Sequence, residues 1–92
     1  MYIEIITPEK KLFSGESHSV TVPGSSGLFQ VLNGHAPLIA TMKKGTLKIK
    51  TASGETQFEV NGGVVEVLNN RVIILAEYPS VAIRISYPTV GK

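Results

Sequence analysis

Apolar and polar residues alternate along most of this chain with a period of two. In "TLKIKTA" Leu47 and Ile49 fall on one side and Lys48 and Lys50 on the other, the spacing of a half-buried strand. "ETQFEVN" repeats the pattern, with Phe58 and Val60 set against Gln57 and Glu59. Ser53-Gly54 between them suits a two-residue hairpin connection. The same reading predicts strands in "YIEIIT", "SHSVTV", "LFQVL", "LIATM", "VVEVL", "RVIILA" and "VAIRISY", separated by "PGSSG", "NGHAP", "KKG", "NGG", "NN" and "EYPS". Those separators supply turn geometry through Gly, Pro and Asn. Asn69-Asn70 is expected to close a second hairpin. In "PGSSG" Pro23 fixes φ while Gly24 and Gly27 take the strained positions.

No stretch carries apolar residues at three- and four-residue spacing between a cap and a terminating glycine. The prediction is an all-β fold, a two-sheet β-sandwich of about ten short strands with no helix. Its inner faces come from Ile3, Ile5, Val20, Val22, Leu47, Ile49, Phe58 and Val60. His18 shares the parity of Val20 and Val22, so it is expected partly buried at a sheet margin.

Composition narrows the function more than the fold. A chain of 92 residues makes one domain, near the lower end of what a single core sustains. Its 42% hydrophobic content opposes disorder, and the lack of cysteine rules out disulfides and thiolate metal sites. Net charge is only +2. Lysines pair at Lys10-Lys11 and Lys43-Lys44, but Arg71 and Arg84 are the only arginines and there is no tryptophan. A basic stripe interleaved with aromatics, the mark of a nucleic-acid binder, is absent. The longest aliphatic runs fall far short of the roughly 20 residues a membrane helix needs. The N-terminus also lacks the pattern of a signal peptide. The expectation is a cytoplasmic chain that touches a membrane only through partners.

Candidate chemistry is sparse. A nucleophile–base pair could be sought in His35 with Ser25 or Ser26, but the chain holds no aspartate to orient the ring and its nearest glutamates are Glu16 and Glu55. His18 and His35 are too few ligands for zinc. "PGSSG" lacks the lysine and following helix of a phosphate-binding loop. Glu4, Glu59 and Glu66 occupy outward strand positions rather than facing one another across a cleft. No catalytic residue, metal site or cofactor is expected, and the chain reads as a binder. One form of binder is a free-standing sandwich that takes a small ligand or carbohydrate. Such a module needs aromatic platforms around a pocket, whereas Tyr2, Phe13, Phe29, Phe58, Tyr78 and Tyr87 are spread widely in sequence.

Three segments together resemble a known family. "MYIEIITPEKKLFSGE", "VTVPGSSGLFQVLNGHAPLIATMKKGTLKI" and "GGVVEVLNNRVIILAE" are similar, in order and spacing, to the epsilon subunit of bacterial and chloroplast rotary ATP synthases. The resemblance implies a flattened β-sandwich over residues 1–77. It also implies a non-catalytic place in the central stalk, between the gamma subunit and the membrane ring of c subunits, peripheral to the cytoplasmic face of the inner (plasma) membrane.

On the same resemblance the partner-binding residues are Ser25, Ser26, Leu28, Asn33, Gly34, His35, Ala36, Pro37, Leu38 and Met42. Turns around the "GLF" segment would face the c ring, and "GHAPL" would face gamma. Either Leu28 or Leu32 is left to serve as an apolar anchor. Gln30 and Asn33 stand where the family often has glycine and proline. Residues 78–92 depart further. Pro79 and Pro88, with Val81, Ile83, Ile85 and Tyr87 on one face, suit a strand or extended tail rather than the family's helix pair. The expectation is a subunit that couples rotation without helix-mediated inhibition of ATP hydrolysis.

Overall fold

The computed structural model describes residues 1–77 and the strand 84–88. Ten strands follow one another: β1 (Tyr2–Ile6), β2 (Lys11–Glu16), β3 (Ser19–Gly24), β4 (Gly27–Leu32), β5 (Leu38–Met42), β6 (Gly45–Thr51), β7 (Gly54–Val60), β8 (Gly62–Leu68), β9 (Arg71–Glu77) and β10 (Arg84–Pro88). They hydrogen-bond in the order β10-β7-β6-β3-β5-β8-β9-β1-β2, with β4 on the other side of β3. No helix occurs among the described residues. Residues 78–83 and 89–92, including the predicted strand positions Val81 and Ile83, lie outside them.

The sheet is continuous but thin at one joint. β3 and β5 share a single pair, Gly24 with Met42, supported by the Lys43 N–H donating to the Pro23 carbonyl at 2.9 Å. At this joint the sheet folds over into two halves, β4-β3-β6-β7-β10 and β5-β8-β9-β1-β2, which form the two layers of the sandwich. Phe13 from β2 meets Phe58 from β7 across the interior, ring centroids 6.2 Å apart and planes at 69°, the edge-to-face arrangement aromatic quadrupoles favour. All eight predicted inner-face residues are buried, joined by Val31, Val65, Val67, Val72 and Ile74. Each such side chain contributes roughly 1.5–3 kcal/mol by leaving water.

Both glycine- and asparagine-based hairpins form. Ser25–Ser26 connects β3 to β4, with Gly24 opposite Gly27. Asn69 and Asn70 take left-handed φ of 52° and 61° between β8 and β9, the two-residue turn whose twist matches its strands. Gly24 departs from expectation. Its φ is not left-handed, and the reason for glycine is space, since a Cβ there would lie 2.8 Å from the Phe29 ring and 2.7 Å from the Gly27 carbonyl.

Three further differences are instructive. The β6–β7 turn sits at Ala52–Ser53, one residue earlier than predicted, with Thr51 paired to Gly54. The Thr51 hydroxyl fixes it there, accepting from the Ser53 N–H at 3.1 Å and donating to the Gly54 carbonyl at 3.2 Å. His18 is exposed, while Ser17 and Ser19 beside it are buried. Consecutive amides there reach different neighbours: Ser17 N–H goes to the carbonyl of Met1, just before β1, at 2.8 Å and His18 N–H to the Lys50 carbonyl of β6 at 2.7 Å. That bend breaks the alternation one residue before β3 begins. The third difference is β2 itself, a strand the alternation does not predict.

Candidate docking surface

Two loops and one strand carry the candidate residues. Ser25 and Ser26 are exposed at the β3–β4 tip. Ser25 is pinned to β5, its N–H donating to the Thr41 carbonyl at 2.9 Å and its hydroxyl 2.8 Å from that of Thr41. Leu28 and Leu32, two turns of the pleat apart, both point outward and are 74% and 52% exposed. The alternative between them therefore dissolves, because residues of equal parity share a face.

The loop after β4 is held from three sides. The His35 N–H donates to the Leu32 carbonyl at 3.1 Å, closing a turn over Asn33 and Gly34, where Gly34 takes φ 78°. The Gly34 N–H donates to Asn70 Oδ1 at 2.9 Å, tying this loop to the β8–β9 turn. Asn33 Oδ1 accepts from the N-terminal ammonium of Met1 at 2.6 Å. His35 is half-buried, and its Nδ1–H donates to the Ala36 carbonyl at 2.8 Å. Its ring bonds to the loop's own backbone, and among the described residues no serine or carboxylate hydrogen-bonds to it. Ala36 and Pro37 are exposed and Leu38 is packed against the core. Met42 is 5% exposed and belongs to the core, where it positions β5 at the joint rather than presenting a surface.

An open groove of about 630 Å³ runs between β4 and β5. It brings together Ser25, Ser26, His35 and Leu38 with Phe29 and Ile39. Asn33 lies apart, in a smaller recess beside Met1 and His18. No group of three His, Cys, Asp or Glu residues converges among the described residues.

Sequence reasoning missed the larger feature beside the groove. On the outer face of the β5-β8-β9-β1 half, Thr41, Val64, Leu75 and Ile6 align in one row across the strands, and Ile39, Glu66, Ile73 and Glu4 in the next. Ile39 is 72% exposed, Leu75 52%, and Val64 and Leu68 also face solvent. On the other half the outer face of β6 and β7 is polar, with Lys48, Lys50 and Gln57, and with Thr46 donating to Glu59 at 2.6 Å, while Leu28 and Leu32 stand outward at its β4 edge. At the margin of the apolar face, the Glu4 carboxylate accepts from Lys11 at 2.9 Å. That hydrogen bond, with the charge behind it, raises the Lys11 pKa above its ordinary value. The signal for this face is present in the sequence: "RVIILA" and "VVEVL" place apolar residues at both parities, as strands covered on two sides do.

Comparison with known proteins agrees with this architecture. The family model described as "ATP synthase, Delta/Epsilon chain, beta-sandwich domain" matches residues 1–79. Proteins named ATP synthase epsilon chain are 47% identical in Chlorobaculum tepidum and 45% in Chlorobium limicola, in each case over 76 residues, 82% of this chain and 86% of the relative. That of Desulfatibacillum aliphaticivorans is 47% identical, and there the chain spans 54% of the relative's length. Among solved structures, a chain of the Tetrahymena thermophila mitochondrial ATP synthase central stalk/c-ring superposes with TM-score 0.72 at 22% identity, over 84% of this chain and 63% of that one. One from the Euglena gracilis mitochondrial ATP synthase OSCP/F1/c-ring gives 0.78 at 19%, over 89% and 51%. The family model over residues 1–79, together with identities well above 30% over most of the chain, places this protein in the ATP synthase delta/epsilon family, as its beta-sandwich domain.

Proposed function

We infer that this chain is the epsilon-type subunit of a rotary ATP synthase, a non-catalytic part of the central stalk that joins the gamma subunit to the membrane c ring during ATP synthesis. The assembly is membrane-associated, and this subunit sits at the cytoplasmic face, in contact with the membrane only through its partners. The observation that carries the reading is the apolar outer face around Ile39, Val64 and Leu75. An antiparallel sheet exposed on one side alternates apolar-in and polar-out, and a contiguous apolar patch on a soluble face marks an interaction surface. On this reading gamma covers that face and the adjoining Gly34–Leu38 loop. The β3–β4 tip, with Ser25, Ser26 and Leu28, meets the loops of the ring.

The mechanics support it. A rotor part must transmit torque without yielding, and loops set on a packed sandwich are positioned by its core. Here the tip and the following loop are each bonded to a neighbouring strand or turn, so little freedom is left to lose on binding.

The test replaces Ile39 and Leu75 by glutamate, with Lys48→Glu on the polar face as the control, and measures affinity for purified gamma. The paired apolar replacements should lower affinity at least tenfold while Lys48→Glu leaves it within about twofold, the cost being that of burying unpaired charge. Equal affinity for all three proteins would refute the reading.

A further inference from the structure

We propose that the free edge of β4 receives an extended segment of the gamma subunit as an added strand, paired backbone to backbone along Leu28–Gln30, short of Leu32, whose carbonyl is held by the His35 N–H. The proposal rests on the stalk reading above and specifies how one partner engages it.

The argument starts from the four edges of the folded sheet. A bare edge offers unpaired amides and carbonyls to any passing chain, and natural proteins blunt it with charge, proline or bulges. β2 carries Lys11 and Glu16, and its pairing with β1 shifts register between Ile5 and Ile6. β10 ends at Pro88 and itself covers the edge of β7. β5 is preceded by Pro37, and its Thr41 carbonyl is already taken by Ser25. β4 has only its last carbonyl taken, that of Leu32, by the His35 N–H. Its sequence, "GLFQVL", contains no charge and no proline, and it pairs with β3 alone.

The register shows which groups are unpaired. Gly24 and Gly27 close the two-residue hairpin as a hydrogen-bonded pair, so pairs alternate from there along β4. Phe29 and Val31 turn their amides toward β3, while Leu28 and Gln30 turn theirs to the open side. The Pro23 carbonyl, opposite Leu28, points away from β4 to Lys43, as this phasing requires. Neither Leu28 nor Gln30 has a partner for its backbone amide among the described residues. Edge addition uses such an alternate row of donors and acceptors for affinity and the neighbouring pockets for side-chain choice.

The surroundings identify the occupant. The open side of β4 borders the groove lined by Phe29, His35 and Ile39, and Ile39 is also the nearest corner of the apolar face assigned to gamma. A single extended segment of gamma, apolar at alternate positions, fills the groove and continues onto that face. A second copy of this chain, pairing β4 with β4, would leave Ile39, Val64 and Leu75 uncovered.

Gln30→Pro tests this directly. Proline removes the outward amide of an exposed edge position without touching the β3 ladder, whereas Gln30→Ala keeps it. Thermal unfolding establishes that both fold. Gln30→Pro should weaken binding to purified gamma about tenfold or more and Gln30→Ala less than twofold. Amide exchange at Leu28 and Gln30 in the wild-type chain should slow on gamma binding. Gln30→Pro binding like wild type, with those amides exchanging unchanged, overturns the strand addition. If the Ile39 and Leu75 replacements still abolish binding in that case, the stalk reading stands alone. If they too are without effect, both readings fall. A wild-type homodimer that Gln30→Pro dissociates, with gamma affinity unaltered, assigns the edge to a second copy and also overturns the proposal.

Discussion

The hydrogen bond from the Gly34 N–H to Asn70 Oδ1 joins two turns far apart in sequence, and a paired substitution isolates it. Asn69 and Asn70 adopt nearly the same left-handed conformation, but only Asn70 reaches the loop after β4. Glycine at either position relieves the same backbone strain, a few tenths to about 1 kcal/mol. Glycine at 70 also removes the acceptor and leaves the exposed Gly34 amide to water. The Tyr2 N–H bond to the Asn70 carbonyl at 3.1 Å survives, because it uses the backbone.

Subtracting one variant from the other leaves the side-chain bond, about 0.5–1.5 kcal/mol for a typical hydrogen bond, here an exposed one. In a domain of this size that corresponds to roughly 2–12 °C between the two unfolding midpoints, with Asn70→Gly the lower. Calorimetry on both variants reads the difference, and amide exchange localises it: Gly34 should exchange faster in Asn70→Gly and unchanged in Asn69→Gly. Coincident midpoints together with unchanged exchange at Gly34 would show that the loop is held by its own turn and by Met1, and that Asn70 contributes nothing to it.

Two other outcomes follow from packing and charge. Gly63→Ala should destabilise by about 2–4 kcal/mol, since its φ is 141° and a Cβ would meet the Leu75 carbonyl; a chemical-denaturation midpoint within error of wild type would contradict the β8–β9 spacing. For Lys11, the pKa raised by Glu4 means its contribution is complete below the unfolded value near 10.5 and disappears as pH rises through the higher folded value. Lys11→Met should therefore differ from wild type in melting temperature at neutral pH, with the two curves converging above that range, whereas a gap constant to the alkaline limit would refute the pairing.

The hairpins and inner faces were legible because single residues and strict alternation specify them. Asn69-Asn70 and Ser25-Ser26 could only be turns, and Ile3, Val20, Ile49 and Phe58 could only face inward. β2 was not legible: "KLFSGE" mixes partly exposed positions of both parities, and it becomes a strand because β1 supplies a ladder for it. The one-residue displacement at Ala52–Ser53 came from the Thr51 hydroxyl, a local bond that outweighs the preference for glycine inside a tight turn. For the candidate surface, the loop residues rest on the motif. The apolar outer face was hidden because alternation assigns one parity inward and treats the other as solvent-facing. In β5, β8 and β9 that assumption fails, and Ile39, Val64 and Leu75 are the residues that reveal it.

The parallel pairing of β1 with β9 has a consequence during synthesis. Tyr2 in β1 is made before the other nine strands, but its partner Arg71 arrives only after nearly the whole sandwich has been made. At typical translation rates of ~5–20 residues per second, β1 and β2 wait for seconds as a lone hairpin, marginal by itself. Such long-range closure slows folding. Over that interval the uncharged β4 edge is exposed as well, with no partner subunit yet beside it. The chain therefore gains from having its rotor partners made at the same time and place, so that the edge is taken by the correct strand before another copy finds it.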